Sequence, residues 1–388
     1  MQAISSRPVA AAREIAPLAR ALADETERAR RLAPPVVDAL RSAGLFRMLV
    51  PREFGGGQAS VAELVAAIEA VAAGDGSAGW CLMIGATTGI TAALLPREGA
   101  AEIHGDLGSI TGGMLMPRGT AVPVEGGYRV TGRWSYGSGS SHATWLLGGV
   151  TVVDANGNPE AIRGGHPHLR MAFFPAGSYT IHDTWHVSGL RGTASNDYEV
   201  TNLFVPSHRT VGLGIDRPWA EGTLYAFPMY GLLALGVAAV GLGIARAAID
   251  EVTALAQVKT PTGSRRQLAE RAAAQAGIAE AHALLESGRA YLYASIESAW
   301  ASAEQGSPLS VADRAQLRLA ATHAARSCTR AVDICYDLGG GSSIYETSSL
   351  QRHFRDIHTL TQHVMVGQPT YEVVGRVMLG LPVDTFML

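Results

Sequence analysis

Cysteine is scarce: the three in 388 residues, Cys81, Cys328 and Cys335, cannot all pair within one chain, and each sits among apolar residues at helical spacing. A disulfide framework is therefore excluded, and buried reduced thiols in a reducing cytoplasm are expected. An excess of one charge is also missing, since 31 basic and 34 acidic residues leave a formal net charge of −3. That balance gives no footprint for nucleic acid or an anionic membrane. Residues 1–13 lack an apolar core of signal-peptide length, so export is not expected. No group of His, Cys, Asp and Glu has metal-ligand spacing, and His166-Pro167-His168 is a loop pair without evident partners. There is no Walker pattern, no Gly-x-Ser-x-Gly elbow and no Rossmann fingerprint after a strand, which argues against a nicotinamide site in this chain.

What is present is core-forming material. Hydrophobic residues make up 47% of the chain against 17% charged, and 45 glycines point to tight turns and close helix contacts. The length suits two or three domains. The long apolar stretch at residues 229–245 is glycine-rich and runs into an amphipathic pattern from Arg246, which predicts a buried core helix and not a membrane span.

The texture changes twice along the chain. Residues 8–96 repeat alanine, leucine and charge at helical spacing, with breaks at Pro34-Pro35 and Gly55-Gly56-Gly57. From residue 109 strands are predicted at Tyr128-Arg129-Val130-Thr131 and at 145–150, with turns at Glu125-Gly126-Gly127 and Asn156-Gly157-Asn158-Pro159. Helical patterns return at 224–259, 265–305, 311–338 and from 350 toward 379, which implies a bundle. The expected class is α+β multidomain: a helical domain over 1–108, a β domain over 109–214 and a four-helix bundle over 215–388.

This order resembles the acyl-CoA dehydrogenase superfamily, whose plan is an N-terminal helical domain, a central β-barrel and a C-terminal four-helix bundle with flavin between barrel and bundle. Four segments carry the resemblance in the family's order: the run at 45–56 ending Glu53-Phe54-Gly55-Gly56, the run at 187–197 built on Gly189-Leu190-Arg191-Gly192-Thr193, Phe204-Val205-Pro206, and Leu338-Gly339-Gly340-Gly341. Three others resemble the two-component flavin monooxygenases, the branch of the 4-hydroxyphenylacetate hydroxylase oxygenase and dibenzothiophene monooxygenase. They are Gly76-Ser77-Ala78-Gly79-Trp80, the Gly132-Arg133-Trp134-Ser135-Tyr136-Gly137-Ser138-Gly139 run with His142 and Trp145, and the stretch from Gln351 to His363.

A dehydrogenase of this plan needs a carboxylate to remove an α-proton while hydride leaves to flavin. In the family resembled, that acid lies shortly after the Arg-Asp of the last helix or early in the first bundle helix. Here the first position is reached at His363 and Val364, and residues 222–249 contain no Asp or Glu. Glu372 falls several residues late and has an ordinary salt-bridging role as its other reading.

The resemblance instead implies an oxygenase component that receives reduced FMN, or FADH2 as the alternative, from a separate reductase. With O2 it would form a C4a-(hydro)peroxyflavin and hydroxylate an aromatic or heteroaromatic small molecule. An FAD-dependent acyl-CoA dehydrogenase or oxidase, and a non-catalytic flavin-binding scaffold, are the rival readings. By its spacing after Arg355, His363 matches the branch's histidine near flavin and substrate, able to deprotonate a phenol or steady the adduct. His353 and His358 compete with it on the same segment.

Ser138 is placed against the flavin ring, with a turn residue as the other reading. Trp134 is either a stacking wall or plain core. Arg265 and Arg266 are read as a phosphate clamp at a subunit interface or a solvated helix start, and Arg355 is open in the same way. Gly339 and Gly340 resemble the loop that approaches a neighbouring subunit's cofactor. Trp80, Phe227 and Tyr230 are expected to line a dry substrate pocket. The superfamily's usual homotetramer, a cytoplasmic location, no metal, no nucleic acid and no membrane complete the expectation.

Overall fold

The computed structural model describes residues 6–162, 165–213, 215–306, 308–385 and 387–388. The expected end of the β domain at Gly214, and part of the segment read for a signal peptide, lie outside them.

Six helices open the fold: α1 (Arg7–Ala21), α2 (Ala23–Ala29), α3 (Pro34–Ser42), α4 (Val61–Ala72), α5 (Gly76–Thr88) and α6 (Arg97–His104). Pro34 and Pro35 start α3 and do not merely interrupt a helix, because proline's missing N–H costs nothing in a first turn. Ser60 and Glu63 close a capping box on α4, and the Asp75 carboxylate accepts the Ala78 N–H at the start of α5.

The β domain is one seven-stranded sheet, β1 (Thr111–Val124), β2 (Gly127–Gly137), β3 (Trp145–Val152), β4 (Leu169–Pro175), β5 (Thr180–His182), β6 (Asn196–Pro206) and β7 (Thr210–Gly212), in the order β5-β6-β2-β1-β3-β4-β7. Pairing is antiparallel except between β1 and β3, which run parallel. The sheet curls about Trp134, which is fully buried, stacks on Tyr198 at 5.4 Å and lies 5.3 Å from Phe174. Its Nε1 donates to the Gly149 carbonyl at 2.8 Å.

Five helices follow: α7 (Met229–Val258), α8 (Ala272–Glu304), α9 (Val311–Gly339), α10 (Ser349–Leu360) and α11 (Pro369–Met378). The predicted runs are shortened where proline acts. Pro228 holds α7 back from the expected start at 224, and the last run is split, with Pro369 opening α11. The apolar window of α7 is 89% buried, as a core helix should be. One apolar core unites the N-terminal helices with the bundle. Gly243 permits this, since a Cβ there would stand 2.5 Å from the Glu69 carbonyl oxygen of α4.

Burial sets the acid behaviour of the fold. It pushes His104 and His353 down to about 3 and His142 and His363 to about 4, and it lifts Asp75 to about 6 and Asp356 to about 7. Near pH 5 unfolding lets four imidazoles take up a proton and two carboxyls lose one, a net uptake of about two protons. The histidine contribution is present above pH 6.5 and lost as pH falls through 4 and on to 3. The two aspartates act in the opposite sense, contributing stability at low pH that is lost as pH rises through 6 to 7. Melting temperature is therefore expected to fall steadily from pH 6.5 to 4, and a flat profile there would contradict this assignment.

Candidate active site

A cavity of about 980 Å³ opens where α5, the β1–β2 face, the loop at 185–195 and the start of α7 converge with the segment after α10. That volume accommodates a tricyclic ring together with a small aromatic molecule. Its walls are largely apolar, with Ile84, Met114, Leu190, Met229, Leu233 and Met365 among them.

Of the residues expected at the site, the structure brings together Trp80, Ser138, Tyr230 and His363. Trp80 projects from α5, and its Nε1 donates to Ser138 Oγ at 3.0 Å. Its ring meets the His363 ring edge-on, with centroids 5.4 Å apart. His363 does not share a helix with His358, because α10 ends at Leu360. It caps the following 3-10 turn, Val364–Val366, and its Nδ1 accepts the Met365 N–H at 3.3 Å.

Two consequences follow for the imidazole. It lines the cavity, and burial, with the nearby Arg318 charge as a smaller contribution, lowers its pKa to about 4. It is neutral at pH 7. Because Nδ1 accepts, the remaining proton sits on Nε2, so the ring is better suited to donating a hydrogen bond than to removing a proton. Arg318 fixes this turn from below, donating to the carbonyls of Met365 at 3.1 Å and of Met387.

The competing histidines are elsewhere. His353 is buried and outside the cavity lining, and His358 pairs with Asp333 at 2.8 Å.

Three expectations are corrected. Trp134 fills the interior of the β domain and walls no cavity, because its large ring is held between Phe174 and Tyr198. Phe227 packs on Trp300 at 5.6 Å, turned away before Pro228 starts α7. Arg355 is taken up structurally, paired with Glu27 at 2.5 Å and donating to the Ser188 carbonyl. Glu372 stands exposed on α11, outside the cavity lining. Arg265 and Arg266 lie on the exposed connection before α8. Gly339 and Gly340 end α9, where Lys259 donates to the Gly339 carbonyl at 2.5 Å and to Ser342 Oγ at 2.8 Å. Within one chain neither pair lines the cavity.

Sequence reasoning missed Thr193, Ser195, Tyr136, Trp185 and Gln362 on the lining. Thr193 and Ser195 stand in the run quoted at 187–197, and their hydroxyls two residues apart were the available signal. Tyr136 has φ of 64°, unusual for an aromatic, and its ring meets Trp185 edge-on at 6.3 Å.

The loop at 188–195 is anchored by the Arg355-Asp356 pair. Asp356 Oδ1 accepts the Leu190 N–H at 2.6 Å. A Cβ on Gly189 would stand 2.1 Å from the Arg355 carbonyl oxygen, so only glycine allows this approach. The one carboxylate among the described lining residues is Asp197, which pairs with Arg133 at 3.0 Å. Neither α7 nor α11 presents an acid to the cavity. A flat, uncharged ring fits these walls, and a carboxylate base for an acyl-CoA dehydrogenation is missing from both expected places.

Sequence models described as "Acyl-CoA dehydrogenase, N-terminal domain" and "Acyl-CoA dehydrogenase, C-terminal domain" match residues 9–105 and 235–368. The chain belongs to the acyl-CoA dehydrogenase family. Within that family it is a flavin-dependent monooxygenase, an oxygenase component. An indole-3-acetate monooxygenase of Pseudomonas putida is 35% identical over 362 residues, covering 93% of this chain and 90% of that protein. The oxygenase component of an FADH(2)-dependent resorcinol hydroxylase from Rhizobium sp. (strain MTP-10005) is 29% identical, covering 95% and 92%. The crystal structure of the 3-HSA hydroxylase from Rhodococcus sp. RHA1 superposes with a TM-score of 0.89 at 26% identity, over 99% of this chain and 100% of that one.

Proposed function

We propose that this oxygenase component hydroxylates a small aromatic or heteroaromatic molecule, using O2 and reduced FMN delivered by a separate reductase, with FADH2 as the alternative flavin. The observation that carries the reading is the cavity wall: a neutral imidazole and a buried hydroxyl face it, and both expected positions for a dehydrogenase carboxylate are empty of acid. The names of the relatives, built on indole-3-acetate and resorcinol, support an aromatic substrate.

Bound reduced flavin supplies the electrons that activate O2. The chain's own residues do the rest. Trp80, Leu233, Met114 and Met365 keep water from the reacting atoms. His363 Nε2–H donates to an electronegative atom of the bound molecules, held in place by the Met365 N–H on Nδ1. Ser138 contributes a hydroxyl oxygen at the opposite wall.

The same reading includes the domain division at residues 108 and 214, a cytoplasmic location and a homotetramer. In such a tetramer Arg265, Arg266, Gly339 and Gly340 of one protomer would approach the flavin of its neighbour. Support comes from α8, which buries only ten of its 33 residues within the chain and leaves a long face for other copies.

The test supplies the protein with FMNH2 or FADH2 under anaerobic conditions, then O2 with indole-3-acetate, resorcinol and related aromatics. An oxygenated product is expected. Bleaching of bound oxidised flavin by an acyl-CoA, with no oxygenated product from any aromatic tried, would overturn the reading in favour of a dehydrogenase.

A further inference from the structure

A chain of buried hydroxyls runs from the cavity wall into the loop at 188–195. Trp80 Nε1 lies 3.0 Å from Ser138 Oγ, Ser138 Oγ lies 2.7 Å from Ser195 Oγ, and Ser195 Oγ lies 2.6 Å from Thr193 Oγ1. Thr193 Oγ1 then lies 2.9 Å from the Leu190 carbonyl oxygen. Ser138, Thr193 and Ser195 are all nearly inaccessible to solvent.

Both ends of this chain have fixed polarity. The indole N–H can only donate, and a carbonyl oxygen can only accept. Each hydroxyl holds one hydrogen, and each of these short contacts requires one. Thr193 therefore gives its hydrogen to Leu190, Ser195 gives its own to Thr193, and Ser138 gives its own to Ser195. Ser138 accepts from Trp80 and is left with one unused lone pair and no free hydrogen.

The acceptor at the far end cannot turn. The Leu190 carbonyl also receives the Trp185 Nε1–H at 3.0 Å and the Thr193 backbone N–H at 3.2 Å, and the Leu190 N–H of the preceding peptide is held by Asp356. Leu190 and Ala194 adopt φ of 50° and 46°, a costly conformation for residues with a side chain, which persists because these contacts over-determine it.

Resting on the flavin reading above, we propose that Thr193 and Ser195 are positioning residues that make Ser138 a pure acceptor toward the cavity, so that the site prefers reduced over oxidised flavin. The chemistry is that of the ring nitrogen N5, which accepts a hydrogen bond in oxidised flavin and carries an N–H in the reduced form. A wall that offers only a lone pair favours the N–H and opposes the bare nitrogen. An oxygenase component that takes its flavin already reduced gains from this selection, because spent oxidised flavin is released and does not block the site.

The test measures dissociation constants for oxidised and for anaerobically reduced FMN on the wild type and on Thr193→Val, Thr193→Ser and Ser195→Ala. Thr193→Val and Ser195→Ala free the Ser138 hydrogen to point into the cavity. The ratio of oxidised to reduced dissociation constants is expected to fall about tenfold in both, the scale of one hydrogen bond gained or lost. The two-electron potential of the bound flavin should fall with it by about 30 mV. Thr193→Ser keeps the relay and should stay within about twofold of wild type.

A purely structural role would weaken both flavin forms alike and leave the ratio where it was. An unchanged or increased ratio in Ser195→Ala, with an unaltered circular dichroism spectrum, overturns the proposal. Should Thr193→Val fail to fold, Ser195→Ala reads the same quantity. If the wild type binds neither FMN nor FAD in either redox state, the flavin reading itself fails, which is a different result from a relay without influence.

Discussion

His363→Ala is expected to lower the yield of oxygenated product per reduced flavin consumed by a factor of about 100 to 1000, the loss seen when one preorganised donor is removed from a dry site. The fold should change little, because the ring's own contacts within the chain are with Trp80 and the Met365 N–H. The electrons then go to hydrogen peroxide and not to product, so peroxide release rises as product falls. His363→Gln separates the two roles open to the imidazole. An amide N–H can replace a hydrogen-bond donor but cannot act as a base near neutral pH. Partial recovery in His363→Gln supports donation from Nε2. Activity abolished equally in both variants, with a wild-type pH profile showing an ionisation between 6 and 7, would instead show a base titrating close to its ordinary pKa.

Trp134→Ala is expected to destabilise the protein by about 3 to 5 kcal/mol, the cost of emptying an aromatic side chain's volume from a closed core. It also leaves the Gly149 carbonyl without its 2.8 Å partner. Both the melting temperature and the denaturant midpoint should fall. Trp134→Phe keeps most of the volume and should cost much less. Neither substitution removes a cavity contact, since the ring lies between Tyr198 and Phe174. A fall in flavin affinity of tenfold or more in Trp134→Phe, at unchanged melting temperature, would show that the ring stacks on the cofactor after all.

The contrast between these two residues shows how far the sequence could be read. The place of His363 on the cavity wall is legible in its spacing from Arg355 and in what the sequence lacks, an acid at either expected base position. Its protonation and the polarity of its ring nitrogens are not legible. They depend on α10 stopping at Leu360 and on the Met365 N–H turning back onto Nδ1, which a helical reading of 350–379 hides. Trp134 was ambiguous for the opposite reason. A tryptophan in a strand alternates to one face or the other, and only the curl of the sheet decides which face is closed on Phe174 and Tyr198.

Phe227 and Arg355 failed by similar routes. Phe227 packs on Trp300 just before Pro228 caps α7, and a partner 328 residues away in sequence, Glu27, captures Arg355.

The sequence by itself determined the order of helices, strands and helices, the buried nature of α7, and the lack of an acid at either expected base position, because periodicity, apolar content and residue type are local properties of the chain. Only the tertiary structure decided which residues share a cavity and which way hydrogen bonds run through Trp80, Ser138, Ser195 and Thr193. Those contacts join residues as much as 58 positions apart, and the direction of each is set by the polarity of groups at the ends of the relay, which no local pattern contains.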